Sequence, residues 1–108
     1  MKESEIQRAV FAEIAARGKP GVVAWHHPND KSARRKTGYL AGMPDVCILH
    51  LGKFYGIELK RDGGRASQDQ LETIAAINLA QGFAWVAEGL PQTIKALEVC
   101  GILRKAAA

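Results

Sequence analysis

A chain of 108 residues, 47% hydrophobic and 24% charged, has ordinary globular usage, which excludes a fibrous or disordered architecture. Its length is that of one domain spanning residues 1–108, able to bury roughly two-thirds of its unfolded surface. The formal charge of +4 permits an anionic partner without demanding one.

Residues 3–17 place Ile6, Val10 and Ile14 four apart, the stripe of an amphipathic helix, which Gly18 and Pro20 close. Residues 22–26 suit a short strand. Residues 28–41 are polar, basic and glycine-containing, a loop of the length that is often functional. Residues 46–51 and 54–60 are β-rich and separated by a turn near Gly52, so a hairpin is expected. After a loop over 61–66, Ser67 suits the N-cap of a helix that runs to about Ala80 and ends at Gly82. Residues 83–87 give a further strand, and Pro91 fits the first turn of a last helix ending near Cys100. This order predicts an α/β fold, a mixed sheet flanked by helices.

The chemistry concentrates in Gly42-Met43-Pro44-Asp45 and Gly56-Ile57-Glu58-Leu59-Lys60. If the hairpin turns on Leu51-Gly52, residue 50 pairs with 53, and counting outward sets Asp45 opposite Glu58 with Cβ atoms about 5 Å apart. The two-residue period adds Lys60 to that face and sends Tyr55, Ile57 and Leu59 to the other. A turn on Gly52-Lys53 would set Asp45 opposite Lys60 yet keep all three on one face. A three-residue loop would separate them. Two close carboxylates repel unless a cation neutralises them. A hard divalent ion suits oxygen ligands and keeps waters free for a phosphate and an attacking hydroxide. Lys60 could orient or deprotonate that water or stabilise charge on the phosphate; the spacing does not choose. The plainer reading is a strand-opening Asp and a surface Glu–Lys pair.

On a helical wheel Glu3 falls on the apolar stripe with Ile6, Val10 and Ile14, where a carboxylate needs compensation from a metal or a lysine, whereas Glu5 faces solvent. Ser67-x-x-Gln70 fits a capping box, and it also fits a glutamine at the edge of a site.

Together, Glu3-Ser4-Glu5-Ile6-Gln7, His27-Pro28-Asn29, Gly42-Met43-Pro44-Asp45, Ile57-Glu58-Leu59-Lys60 and Ser67-x-x-Gln70 resemble the VRR-NUC family of the PD-(D/E)XK nuclease superfamily. Five elements in the right order are far more specific than an isolated PD with ExK. The resemblance implies a restriction-endonuclease-like αβββαβ core and hydrolysis of DNA phosphodiesters with Mg²⁺ or Mn²⁺. It also implies a stand-alone homodimer acting on branched DNA such as four-way junctions. It assigns Asp45, Glu58 and the Leu59 backbone carbonyl as metal ligands, Lys60 as the catalytic lysine, Glu3 as the helix acid acting through water, and Gln70 as the trailing glutamine. No appended nucleic-acid-binding domain fits this length, which leaves substrate choice among branched, linear and flap DNA, or RNA, to experiment. A non-catalytic DNA-binding module is the rival reading, and the intact Asp45, Glu58 and Lys60 set argues against it.

The basic loop residues Lys31, Arg34, Arg35 and Lys36, with Arg61, Arg65 and Ser67, are expected to contact phosphates, and His27 and Asn29 to border the site. His26, His27 and His50 lack the spacing of a zinc site. Trp25 and Trp85, both in apolar strand-like context, are expected in the core rather than as base-stacking platforms. Cys47 and Cys100 read as reduced core residues. With no run of about 18 apolar residues, no membrane partner and a cytoplasmic location are expected.

Overall fold

A computed structural model describes residues 1–28 and 38–106. The element order is α1 (Glu3–Arg17), β1 (Val23–His26), β2 (Val46–His50), β3 (Lys53–Lys60), α2 (Gln68–Leu79), β4 (Phe83–Glu88) and α3 (Leu90–Val99). The four strands form one sheet in the order β1-β2-β3-β4, antiparallel except for the β3–β4 pair, which the intervening α2 makes parallel. The first six elements are thus the expected αβββαβ order, with α3 added.

The hairpin turns on Leu51-Gly52, both at positive φ (52° and 78°), the mirror-image turn whose twist matches its strands. His50 pairs with Lys53 and Val46 with Ile57, so the next step outward sets Asp45 opposite Glu58. One face of the sheet carries Val46, Ile48, Tyr55, Ile57, Leu59 and Ala87, which pack with Ile6 and Val10 of α1, Leu97 of α3, and Ile102 and Leu103. Each such aliphatic side chain contributes about 1.5–3 kcal/mol on burial. Arg17 ties the two helices of this layer together, bonding Glu13 and, on α3, Glu98, each at 2.7 Å.

Helix α2 covers the opposite face but lies over β4, where Asn78 bonds both the amide and the carbonyl of Ala84. Among the described residues, no helix covers the β1 half of that face. This overturns the expectation for Trp25: it projects from an edge strand onto the uncovered half and is 40% exposed, whereas Trp85 packs against the core. The end of α2 differs as well. Gln81, at φ 71°, takes the left-handed position, and Gly82 follows it, donating to the Ile77 carbonyl. Gly82 is glycine for lack of room, since a Cβ would sit 2.8 Å from Ile77 Cγ2. No helix among the described residues is long and apolar enough to cross a membrane.

Candidate active site

Asp45 is set by three neighbours at the point where β2 begins. The residue before it, Pro44, lies flat on β3 because Gly56 has no Cβ; one would come within 2.8 Å of Pro44 Cγ. Its own carbonyl accepts from the His27 amide at 3.2 Å, and His26 Nδ1 lies 3.0 Å from the same oxygen, so the end of β1 holds it in place. Its side chain reaches across the hairpin, where Oδ2 accepts from the Leu59 amide at 3.0 Å.

That last bond also orients the Leu59 carbonyl. Gly89 donates to the Lys60 carbonyl on the β4 side. Alternate strand residues turn their amide and carbonyl to alternate neighbours, so those of Leu59 face β2. Two steps past the Val46–Ile57 pair, the count of the register reaches Pro44, which has no N–H to offer.

Glu58 is 1% exposed. Its Oε2 accepts from Gln70 Nε2 at 2.9 Å and lies 3.7 Å from Lys60 Nζ, while the buried Oε1 has no hydrogen-bond partner. Burial and the adjacent Asp45 carboxyl push its pKa from the ordinary 4.5 up to about 8, with Lys60 opposing and Glu3 adding to the rise. Two ionised carboxyls are acceptors only, so their proximity forms no bond unless one holds a proton.

Gln70 serves twice. Its amide N–H and Oε1 complete the capping box with Ser67, at 3.2 and 2.8 Å, while Nε2 goes to Glu58. The capping box of Ser67-x-x-Gln70 is thus formed, and the same glutamine reaches Glu58. The first turn of α2 comes this close because of Gly42, at φ 76°: a Cβ there would collide with the Asp69 carbonyl and the Gln70 amide. Lys60 Nζ also stands 3.8 Å from Glu3 Oε1, which brings α1 to the site. Glu3 is less buried than its place on the stripe implies, with a side chain 43% exposed. It sits on the first helical residue, beyond the apolar contacts of Ile6 and Val10. Glu5 faces solvent and accepts from the Lys2 amide, capping the helix.

The structure thus brings Glu3, Asp45, Glu58, Leu59, Lys60 and Gln70 together, with His27 beside Asp45. Arg61 and Arg65 are exposed on the loop just beyond Lys60, and Ser67 is taken up by its cap. Asn29, Lys31, Arg34, Arg35 and Lys36 lie outside the described residues. His50 is at the far end of β2, its Nε2 3.3 Å from the Pro20 carbonyl, away from His26 and His27. Among the described residues no three His, Cys, Asp or Glu side chains group to hold an ion by themselves. The donor set at the hairpin is instead two carboxyls and a carbonyl. That set fits a hard cation: Glu58 Oε1 lacks a donor, and a positive charge would offset the burial and the Asp45 repulsion that raise its pKa. Pattern reading passed over Gly42 and Pro44 as site-building residues. Their signal was a glycine and a proline just before the acid, but what each must fit against is distant in sequence.

A solved structure described as a VRR_NUC domain protein matches with a TM-score of 0.75 at 22% identity, over 91% of this chain and 86% of that one. Hjc of Archaeoglobus fulgidus, a Holliday junction resolvase from an archaeal hyperthermophile, matches with a TM-score of 0.52 at 18% identity, over 82% of this chain and 68% of that one. Neither a family model nor a curated protein matches the sequence. The likenesses establish the fold: this is the restriction-endonuclease-like α/β architecture that the motifs resemble.

Proposed function

We propose that the protein is a divalent-metal-dependent nuclease that hydrolyses phosphodiester bonds in branched DNA, four-way junctions foremost, as a homodimer. The observation that carries this reading is Glu58 Oε1: a buried carboxyl oxygen without a donor, on a residue adjacent to a second carboxyl and within 3.7 Å of a lysine. Burying such a group uncompensated is costly, and a resident cation removes the cost.

Mg²⁺ or Mn²⁺ held by Asp45, Glu58 and the Leu59 carbonyl would supply charge neutralisation and Lewis-acid activation of the phosphodiester. The chain's own groups do the rest. Gln70 fixes Glu58 Oε2 and so leaves Oε1 as the free ligand oxygen. Leu59 N–H holds one Asp45 oxygen and leaves the other. Lys60 Nζ, flanked by Glu58 and Glu3, orients the attacking water and meets charge building on the phosphate. Glu3 acts at one remove, positioning Lys60 and an intervening water. Arg61, Arg65 and the basic run Lys31, Arg34, Arg35 and Lys36 bind flanking phosphates, with His27 and Ser67 at the rim and Asn29 as a further DNA contact. Branched DNA is favoured because a junction resolvase shares the fold. Twofold symmetry would present two equal sites to two strands. Phe83 on edge strand β4 and Val99 on α3, 45% and 76% exposed, are apolar surface open to a second copy.

The deciding experiment incubates the protein with labelled four-way-junction, flap and linear duplex DNA in Mg²⁺, Mn²⁺ or EDTA, beside Lys60→Ala. Symmetric junction cuts that need metal and vanish in the variant are expected. Binding without cutting in either metal would make the protein a DNA-binding module instead.

A further inference from the structure

On the sheet face that carries Asp45 and Glu58, the half that α2 does not cover is apolar and partly aromatic among the described residues. Val23, Trp25 and Leu49 are 57%, 40% and 44% exposed, and Phe54 lies beside them. The register places all four on the face of Glu58: Val23 pairs with Leu49 and Leu49 with Phe54, while Trp25 pairs with Cys47 and Cys47 with Gly56. Cys47 is two residues along β2 from Asp45, so the Trp25 Cα lies about 8 Å from that of Asp45. That is two to three steps of a strand stacked at about 3.4 Å per nucleotide. Phe54 meets the indole with ring centroids 6.3 Å apart and planes inclined at 55°, propping it from the side.

Area and composition say what covers this patch. The open parts of Val23, Trp25 and Leu49 amount to roughly 300 Å², at the lower end of patches that are often functional. A stable dimer needs about 800 Å² on each partner. A patch of this size, with an indole open beside a centre that handles phosphodiesters, matches the faces of one or two nucleobases, which stack on aromatic rings whatever their sequence.

We propose that Trp25, supported by Phe54, is a stacking shelf for an unpaired nucleobase two to three nucleotides from the phosphodiester held at Asp45 and Glu58. The inference rests on the nuclease reading and refines its substrate: DNA with unpaired nucleotides next to the cut, as at a branch point or a single-stranded end. A continuous duplex, whose bases are stacked inside, gains nothing from the shelf.

The test measures binding of the full chain in EDTA, by fluorescence anisotropy, to three labelled probes: a single-stranded oligonucleotide, the same strand with abasic sites, and a blunt duplex. Trp25→Ala is expected to weaken single-strand binding roughly 5- to 150-fold while Trp25→Phe retains most of it. Removing the bases should bring wild-type affinity down to that of Trp25→Ala, and duplex affinity should be alike in all three proteins. Should Trp25→Ala fail to fold, the abasic probe on the wild type decides alone. Intact and abasic strands bound equally well, or no binding to any probe, overturn the shelf and leave the nuclease reading to the junction-cleavage assay. A wild-type dimer that Trp25→Ala splits, with single-strand affinity unchanged, assigns the face to a second copy and overturns the shelf.

Discussion

At the scale of single residues, the site is a buried acid whose ionisation the fold opposes. Burial, with Asp45 beside it, pushes the Glu58 carboxyl up from 4.5 to about 8, so the fold favours its protonated form. In EDTA, the contribution of this group to stability should be fully present below about pH 4.5 and drain away as the pH rises towards 8. Thermal melts of Glu58→Gln should lack that dependence, and Mg²⁺ at pH 8 should stabilise the wild type but not the variant. An equal Mg²⁺ shift in both would remove Glu58 as a ligand. Lys60→Ala should cut turnover at least a hundredfold while leaving the melting temperature within a few degrees, since among the described residues Lys60 is held by long ion pairs, at 3.7 and 3.8 Å. A collapse of the fold in that variant would show the lysine to be structural.

At the scale of elements, two turns decide where the chemistry lies. Gly42 lets the first turn of α2 approach the Asp45 loop, so Gly42→Ala should cost about 2–4 kcal/mol through both its φ and the collision with the Asp69 carbonyl. It should also withdraw Gln70 from Glu58, lowering activity more than stability alone explains; an unchanged melt would contradict the close packing. The hairpin turn is the reverse case. Leu51 is 81% exposed and holds φ 52°, a conformation that suits asparagine better than a branched aliphatic. Leu51→Asn should therefore stabilise the protein by about 0.5–1 kcal/mol, seen as a rise of a few degrees on melting. A fall would mean that Leu51 has a contact worth more than its strain.

At the scale of the whole molecule, the sheet divides its labour by face. The core side is closed by α1 and α3; the other bears the acids at one end and open aromatic surface beside them. On the proposed reading, a net charge of +4 with acids at the centre means that cations away from the site would draw in the nucleic acid. If about four phosphates are neutralised, affinity should drop roughly a hundredfold between 50 and 200 mM salt. Flat binding over that range would exclude a phosphate-led interface. Light scattering at working concentration tests the homodimer, which a monomeric mass would refute.

Much of this was legible in the chain itself because it depends on local periodicity. Strand alternation put Asp45, Glu58 and Lys60 on one face for either two-residue turn, and Ser67 and Gln70 announced the start of α2, whereas the choice of Leu51-Gly52, and with it the pairing of Asp45 with Glu58, came only with the fold. What the sequence could not decide was coverage. Whether Trp25 is core depends on how far α2 spreads across the sheet, and whether Glu3 is buried depends on where α1 starts relative to the sheet edge. Likewise Gly42 is indispensable only because α2 docks against it, and Glu58 is perturbed only because helix and sheet together exclude water from it. Side-chain direction follows from the period of the backbone, but burial and proximity between distant segments arise only when the elements pack.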